Sequence, residues 1–504
     1  MAEENKSRRD MLKITGGVLG GLIVGGAAGY FIKPSVSETV TKTSTITSTP
    51  PASTTTLTST VTSGTTTTAT TTKTQTTTAS TTTPSKWPGY TTAFKPYSGL
   101  TLELVGEDTD SITCYQNIAG KLSKEQYNVT LKGTFAAHPF DEQKAFLDFA
   151  TRTGTYDFIN MDYPRIAKCV EAGWLTEIGA FEVAHPELLD PSWDFGDFFA
   201  DDVRYNCIWK DKLYGVPQDH VLMFYTYNKK RCDDKGFTNI GATPISYDKY
   251  EDILKAYTSP ADKIYGLGTG LGRNPESGWE WFGYYFNHGG EILDSSGKLL
   301  IKGEGIALET LKHWKRLADA YAPPGAKTWT AYDVFDGFST GLVTEGEFWN
   351  DSIMVVYEDP VKTKVAGELA WGVSPGLGIS HCGQSCYAIP DSSKRKEAAF
   401  LFMQFSTSKE VMCDLKYAPP YCPTRKSFYT KPDVMAHNYY ERYWKNGNLA
   451  GALSQKPRPR HEQWDTMQDS LTANLNACFT GLQDEKTTLD KIYSDWTAVD
   501  PSMK

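Results

Sequence analysis

The chain is poor in the residues that several function classes need. It has eight histidines in 504 residues, none in a His-Glu-x-x-His motif. Its nine cysteines lack the spacing of a zinc site: Cys382 and Cys386 lie four apart beside His381, but no second such pair follows. There is no Gly-x-Ser-x-Gly nucleophile turn and no Gly-x-x-x-x-Gly-Lys phosphate loop. The Gly-rich stretch Gly266–Gly272 is read as a strand running into a loop. A basic excess is also missing: 51 Lys and Arg face 60 Asp and Glu, for a net charge of −9, so there is no electrostatic footprint for nucleic acid. No catalytic residue, cofactor or metal is therefore expected. No short-period repeat of the solenoid kind occurs.

What is present divides into three zones. Residues 1–33 read as a signal and membrane anchor. Ser7-Arg8-Arg9-Asp10-Met11-Leu12-Lys13 resembles a twin-arginine export signal, and the Arg pair directly precedes an apolar run of 19 residues, Ile14–Ile32. That run is long enough to span a bilayer. Gly26-Ala27-Ala28 offers a small-residue cleavage site, but retention as an anchor is the favoured expectation, because a long linker follows. No Cys follows the run, which excludes a lipid-modified Cys anchor. Residues 34–96 are a Ser/Thr-rich linker with almost nothing to bury, expected to be disordered and a substrate for O-glycosylation. The N-glycosylation sequons at Asn128 and Asn350 fit an exterior location. In an oxidising exterior some cysteines can pair. Cys413 and Cys422, flanking a Pro-containing bend, are the first candidate.

The remaining 400 or so residues suffice for two domain-sized cores. Strand and helix signals alternate. Leu100, Leu102 and Leu104 mark a strand, Val129–Phe135 a second, and Tyr156–Ile159 a third, with helices over Asp141–Arg152 and from Pro164 to Gly173. Pro in the first turn and Gly past the last is the asymmetry a helix favours. Further helices are expected over Ser246–Tyr257, Ile306–Tyr321, Lys394–Ser406, Leu471–Phe479 and Leu489–Trp496. Such alternation implies an α/β fold with mostly parallel sheets covered on both faces.

Five segments occur in an order that is similar to the maltose- and oligosaccharide-binding proteins, the extracellular solute-binding proteins of ABC importers. They are Tyr156–Ile178, Lys212–Phe237 with Leu-Tyr-Gly-Val-Pro at Leu213–Pro217, Trp279–Ile301, Tyr321–Gly325 with Phe338–Trp349, and Trp371–Leu377 followed by Cys382–Pro390 and Glu397-Ala398-Ala399. The resemblance runs from about residue 99 to the end. It implies a periplasmic-binding-protein-like fold of two α/β lobes joined by crossing hinge strands, with the ligand in a closing cleft between them. By the same correspondence lobe one takes residues 97–218 and 382–416, and lobe two takes 219–381 and 417–504. Crossings fall near Gln218–Phe224, Ile379–Gly383 and Tyr417–Thr424. The function implied is capture of a carbohydrate for import. The partners implied are a small-molecule ligand, the permease subunits of the transporter, and the membrane through the N-terminal segment.

A sugar needs aromatic faces for its C–H surfaces and planar polar groups for its hydroxyls. The aromatic candidates are Trp279, Trp281, Trp349 and Tyr421. The polar candidates are Glu107 and Asp108 after the first strand, Asp162, Tyr163 and Arg165 after the third, and Asp219 and His220 at the first crossing. Arg165 falls on a family arginine. The family's acid before it is Pro164 here, its stacking Trp is Met161, and a further family acid is Val221. Asp162 and Asp219 stand where a shifted carboxylate would serve. These departures argue against maltose itself. Alternatives are the same fold with a polyamine, glycerol phosphate or iron, a secreted glycoside-acting enzyme, or a stalked adhesin. Iron sites use paired Tyr, and Tyr284-Tyr285 and Tyr439-Tyr440 are adjacent pairs whose side chains point apart on a strand.

Overall fold

The computed structural model describes residues 56–61, 69–74, 88–108, 116–136, 140–238, 240–349, 357–383, 385–415 and 423–504. The expected signal and anchor, residues 1–33, lie outside them, as do Tyr421, Cys422 and Asn350. Among the described residues no helix is long and apolar enough to cross a membrane.

The Thr-rich linker departs from its expectation in two places. Thr56–Val61 pairs antiparallel with Ala69–Thr74, in keeping with the strand preference of β-branched Thr. Further on, Tyr90 and Phe94 fall within 34–96, yet they pack against Tyr127 and Phe405, with the Phe94 and Tyr127 rings stacked at 4.8 Å. Ring burial sets the start of the packed chain, and composition alone misses it.

Along the chain the principal elements are β1 (Thr101–Glu107), β2 (Thr130–Ala136), helix α1 (Phe140–Thr151), β3 (Phe158–Asp162), α2 (Ile166–Glu171), β4 (Gly215–Pro217) and β5 (Met223–Asn228). Then come α3 (Tyr247–Tyr257), β6 (Tyr265–Leu267), α4 (Pro275–Asn287), α5 (Gly305–Tyr321), β7 (Val343–Trp349), β8 (Leu369–Gly372), β9 (Ser380–His381) and β10 (Ser385–Ala388). Helix α6 (Lys396–Ser406), β11 (Gln455–Lys456), α7 (Trp464–Phe479) and α8 (Glu485–Val499) complete the list. The expected strands and helices fall on these elements, with ends shifted by a few residues.

Two main sheets form. The first has the order β2-β1-β3-β10-β4, with β2, β1 and β3 parallel and β10 antiparallel to both of its neighbours. Its alternating side chains feed two cores. Leu102, Leu104 and Phe158 join Tyr387, Phe400 and Phe402 on one face, while Val105, Ile159 and Met161 join Ala145, Phe149 and Ala388 on the other. Burial on both faces is what a parallel sheet requires. The second sheet has the order β6-β7-β5-β8, with β5 antiparallel to β7 and β8. Its surroundings are unusually polar. Glu345 and Glu347 on β7 and Glu280 on α4 are all buried, and burial pushes each carboxyl up to about 8. Tyr225, Tyr247, Tyr250 and Tyr284 are packed nearby, and burial comes first in raising their phenols; Glu345 follows for Tyr225, Glu347 for Tyr247 and Tyr284, and Tyr284 for Tyr250.

The two sheets are joined where the chain crosses between them. Leu222 bridges Cys382 antiparallel, and the Gly383 amide donates to the Val221 carbonyl at 3.0 Å. A third strand lies beside this pair: β11 runs parallel to β9, Ser380 opposite Gln455. That strand carries no sequence signal, being two polar residues long. For the crossing expected over Tyr417–Thr424, Tyr417–Cys422 lie outside the described residues. Thr424 and Arg425, assigned by resemblance to the second lobe, pack on the first-sheet side instead: Phe199 bridges Arg425, whose Nη2 donates to the Trp193 carbonyl at 2.8 Å. The strands of the first sheet otherwise lie within 97–218 and 382–416, and those of the second within 219–381.

Candidate functional site

β3 ends on Asp162, and the chain turns at once through Tyr163, Pro164 and Arg165 into α2. Proline in that first turn suits the abrupt change, since its φ is already helical. These residues therefore stand at the carboxyl edge of the sheet, where such sheets present their ligand sites. From the second sheet, α4 opens with Asn274 as N-cap and Pro275 in its first turn, which places Trp279 one turn in.

The two groups meet through Arg458, in the extended stretch Pro457-Arg458-Pro459-Arg460. Its guanidinium carbon lies 4.9 Å from the Tyr163 ring centroid and 4.9 Å from that of Trp279. Cation–aromatic contacts of this kind are worth about 0.5–2 kcal/mol each. Arg458 Nη2 donates to Asp162 Oδ2 at 2.5 Å, and its backbone N–H donates to the Tyr163 hydroxyl at 2.7 Å. Trp279 is half-buried, and its indole N–H donates to Gln468 Oε1 at 3.2 Å. His381 Nδ1–H donates to the Trp279 carbonyl at 3.0 Å. Burial, and then the charge of Arg458, hold His381 well below the usual imidazole range, so the ring is neutral.

Next to this cluster is a cavity of about 350 Å³. One wall comes from α1 and α2 with the turn between β3 and α2: Glu142, Phe146, Arg165 and Lys168. The other comes from the start of α4 and from α7: Arg273, Asp465, Gln468 and Asp469. Gln468 belongs to both the cavity and the Trp279 cluster. Arg165 is almost fully buried, with Nε donating to Glu142 Oε2 at 2.7 Å and Nη2 3.1 Å from Asp465 Oδ1. Burial opposes its charge, but Glu142 and Asp465 offset this and push its pKa up. Its remaining nitrogen, Nη1, is buried with no hydrogen-bond partner among the described residues.

The other sequence candidates divide. Glu107 and exposed Asp108 stand at the end of β1 on the same sheet edge, the Asp108 amide donating to the Ala136 carbonyl at 2.8 Å. Asp219 is buried, and Oδ1 accepts from the Ser385 amide at 2.8 Å. Tyr163 is fully buried, so its hydroxyl serves the Arg458 backbone. Trp349 ends β7, its backbone paired with Met223. Two further candidates are also fully buried. His220 lies between Asp202 Oδ2 at 2.7 Å and the Asn448 carbonyl at 3.3 Å, with Phe199 stacked on its ring. Both ring nitrogens are engaged within the protein. Trp281 is fully buried and stacks on Tyr285 at 5.2 Å. It faces the core because two residues on a helix turn a side chain by about 200° from Trp279.

Tyr284 and Tyr285 lie on helix α4 and not on the expected strand, and their rings go to different partners, Tyr284 to Trp314 and Tyr285 to Trp281. Among the described residues no group of three or more His, Cys, Asp or Glu is placed to hold a metal. Of the first disulfide candidate, Cys413 Sγ lies 3.8 Å from Ser427 Oγ and its partner is outside the described residues. Asn128 of the first sequon is exposed, at a left-handed helix end. Sequence reasoning missed Arg458, Gln468, Asp465, Glu142 and His381. The Pro-Arg-Pro-Arg stretch was the available signal for Arg458: it forces an extended chain and carries two guanidinium groups.

Comparison with known proteins bears on the family and the fold. Residues 113–412 match the family model described as bacterial extracellular solute-binding protein. A protein of Sinorhizobium fredii named a probable amino-acid ABC transporter periplasmic-binding protein is 22% identical over 275 residues, 54% of this chain and 60% of its own length. An erythritol/L-threitol-binding protein of Mycolicibacterium smegmatis is 22% identical over 351 residues, 65% of this chain and 71% of its own. Among solved structures, a solute-binding protein of Agrobacterium radiobacter K84 in complex with ribitol has a TM-score of 0.67 at 22% identity, covering 80% of this chain and 99% of that one. A maltose-bound protein of T. maritima has a TM-score of 0.68 at 18% identity, covering 79% and 100%. The fold is therefore periplasmic-binding-protein-like, and with its family model matched over more than half its length this chain belongs to the bacterial extracellular solute-binding proteins.

Proposed function

We propose that this protein is the capture subunit of an ABC importer for a polyhydroxylated solute, a small sugar or sugar alcohol, and that it binds without catalysis. The observation that carries the reading is the cavity between the elements of the two sheets, which shares Gln468 with the neighbouring cluster of Trp279, Arg458 and Asp162. An indole face suits the C–H side of a sugar or polyol, and fork-shaped carboxylate, amide and guanidinium groups suit vicinal hydroxyls. A volume of about 350 Å³ lies at the small end of ligand pockets, which matches one or two sugar units. The names of the relatives that bind erythritol or threitol, ribitol and maltose support the class.

In this reading the two sheets are the centres of two lobes, and the paired strands at Leu222, Cys382 and Gln455 are the hinge. Trp279, Asp162, Arg165 and Asp219 act in the cleft, with Glu107, Asp108 and Trp349 at the ends of β1 and β7 as further candidates. Residues 1–33 hold the protein at the outer membrane face, and the Thr-rich segment is its glycosylated stalk. The permease subunits are the partners of the closed form.

A second reading has one observation in its favour. The cavity presents three cations, Arg165, Lys168 and Arg273, and three carboxylates, Glu142, Asp465 and Asp469. Opposed charges of this kind suit a zwitterion, and one relative's name refers to an amino acid. Calorimetric titration of the full chain with ribitol, mannitol, maltose and a set of amino acids decides between them. Binding of a polyol or sugar is expected. Binding of amino acids alone would replace the first reading with the second, and turnover of a glycoside would refute both.

A further inference from the structure

We infer that Asp465 is a latch across the cleft, holding its two sides together through Arg165 and Lys168 and coupling their closure to the ligand through Arg165. The inference rests on the capture reading above, but its first half concerns the empty protein.

Three charged groupings line the cavity, and they differ in what they connect. Glu142 and Arg165 both belong to the first-sheet side, 2.7 Å apart. Arg273 and Asp469 both belong to the side of α4 and α7, 3.3 Å apart. The Asp465 grouping crosses from one side to the other. Its Oδ1 lies 3.1 Å from Arg165 Nη2 and its Oδ2 3.0 Å from Lys168 Nζ. One carboxylate, in the first turn of α7, thus receives two cations presented by successive turns after β3. A rotation of a few ångströms about the hinge would break both contacts together, because they share one acceptor.

Arg165 makes this grouping responsive. Glu142 fixes Nε and Asp465 takes Nη2, while Nη1 stays buried at the cavity wall with no partner among the described residues. A ligand oxygen that accepts from Nη1 fixes the guanidinium plane. The planar fork then presents Nη2 to Asp465 without further loss of side-chain freedom. Ligand and latch therefore reinforce each other through one rigid group. The Asp465 side chain is 48% exposed, so mobile ions reach it and the latch weakens with salt. The arginine that the family resemblance assigns to ligand contact here spends two of its three nitrogens on positioning.

The test compares the full chain with D465N, K168A and R273A. Circular dichroism first establishes that each variant is folded. Small-angle scattering of the unliganded proteins at 0.05 and 0.5 M salt then reads the latch alone. The expected result is a larger radius at high salt for the unaltered chain, a large radius at both salts for D465N, and unaltered behaviour for R273A. Equal radii and equal salt response in D465N and the unaltered chain would overturn the latch, whatever binds. Stopped-flow titration with ribitol and maltose reads the coupling. D465N should weaken both probes by the same factor, roughly two- to fivefold, as expected for a partly exposed ion pair, and through faster dissociation. Unequal factors for the two probes would make Asp465 a ligand contact and overturn the positioning role. If neither probe binds the unaltered chain, the capture reading has failed for these ligands and the scattering result alone decides the latch.

Discussion

The two halves of the molecule bury different chemistry. Around the first sheet the core clusters are mainly apolar, with Leu102, Leu104, Phe158, Phe400 and Phe402 on one face and Val105, Ile159 and Ala388 on the other, and the buried polar groups there include the Asn160–Gln218 and Arg165–Glu142 pairs. Around the second sheet it includes Glu280, Glu345 and Glu347 with four tyrosines. Both halves are α/β, yet they hold together under different conditions. The apolar clusters of the first half are stabilised by buried area, which protons do not alter. In the second half burial favours the protonated form of three carboxyls, so its stability is expected to fall as pH rises.

Four measurements break or sharpen that contrast. The largest effect is expected from Phe402→Ala, which leaves a cavity in the hydrocarbon core. It should cost about 3–5 kcal/mol in urea unfolding, by the same amount at pH 5 and pH 8. A cost that changes with pH would remove the distinction. Next is Glu347→Gln. The folded carboxyl is raised to about 8 from 4.5, so its contribution is fully present below about 4.5 and is lost as pH rises through 8. Over that window the unfolded chain releases a proton that the folded chain keeps. The unaltered protein should therefore lose stability from pH 5 to 8, by on the order of 4 kcal/mol per such group at the upper limit. The variant should show a shallower slope, and an unchanged slope in thermal scans would count against the buried-acid account.

His220→Gln tests the junction between the halves. Losing the Asp202 contact should cost about 1–3 kcal/mol of stability and leave ligand affinity unaltered. A specific loss of ribitol affinity would restore His220 to the site. The smallest effect on stability is expected from Trp279→Ala. It should weaken ribitol binding by roughly tenfold or more, as loss of an aromatic anchor does, while unfolding shifts little. Unchanged affinity for ribitol and maltose would move the site away from the seam.

The difference between the halves also explains what the sequence revealed. The first sheet was legible because its strands carry Leu, Val, Ile and Phe in short apolar runs between turn residues, as burial on two faces favours. The helices over Ser246–Tyr257 and Ile306–Tyr321 were legible because their apolar residues recur at helical spacing. In β7 the alternation reads Val-Thr-Glu-Gly-Glu, which hydropathy assigns to a surface. Only the packing shows those glutamates to be inside. Within the site, Asp162, Arg165 and Trp279 were found because they sit next to strand and helix ends that carry signals. Arg458 and Gln468 lie some 180 residues or more from Trp279 in the chain and meet it only by folding, as Asp465 meets Arg165 and Lys168. The burial of His220 and Trp281 was not legible, because a polar or aromatic residue near a loop looks the same in sequence whether its partners are water or protein.

The first sheet also sets a schedule for biosynthesis. β10 lies between β3 and β4, but roughly 170 residues separate its start from the end of β4. At about 5–20 residues per second a ribosome takes some ten to thirty seconds to supply it. Throughout that interval β3 and β4 have open hydrogen-bonding edges, which can pair with other nascent chains. The nascent chain is then most in need of a chaperone, and a stop codon just before Ser385 would release a product with both edges still open.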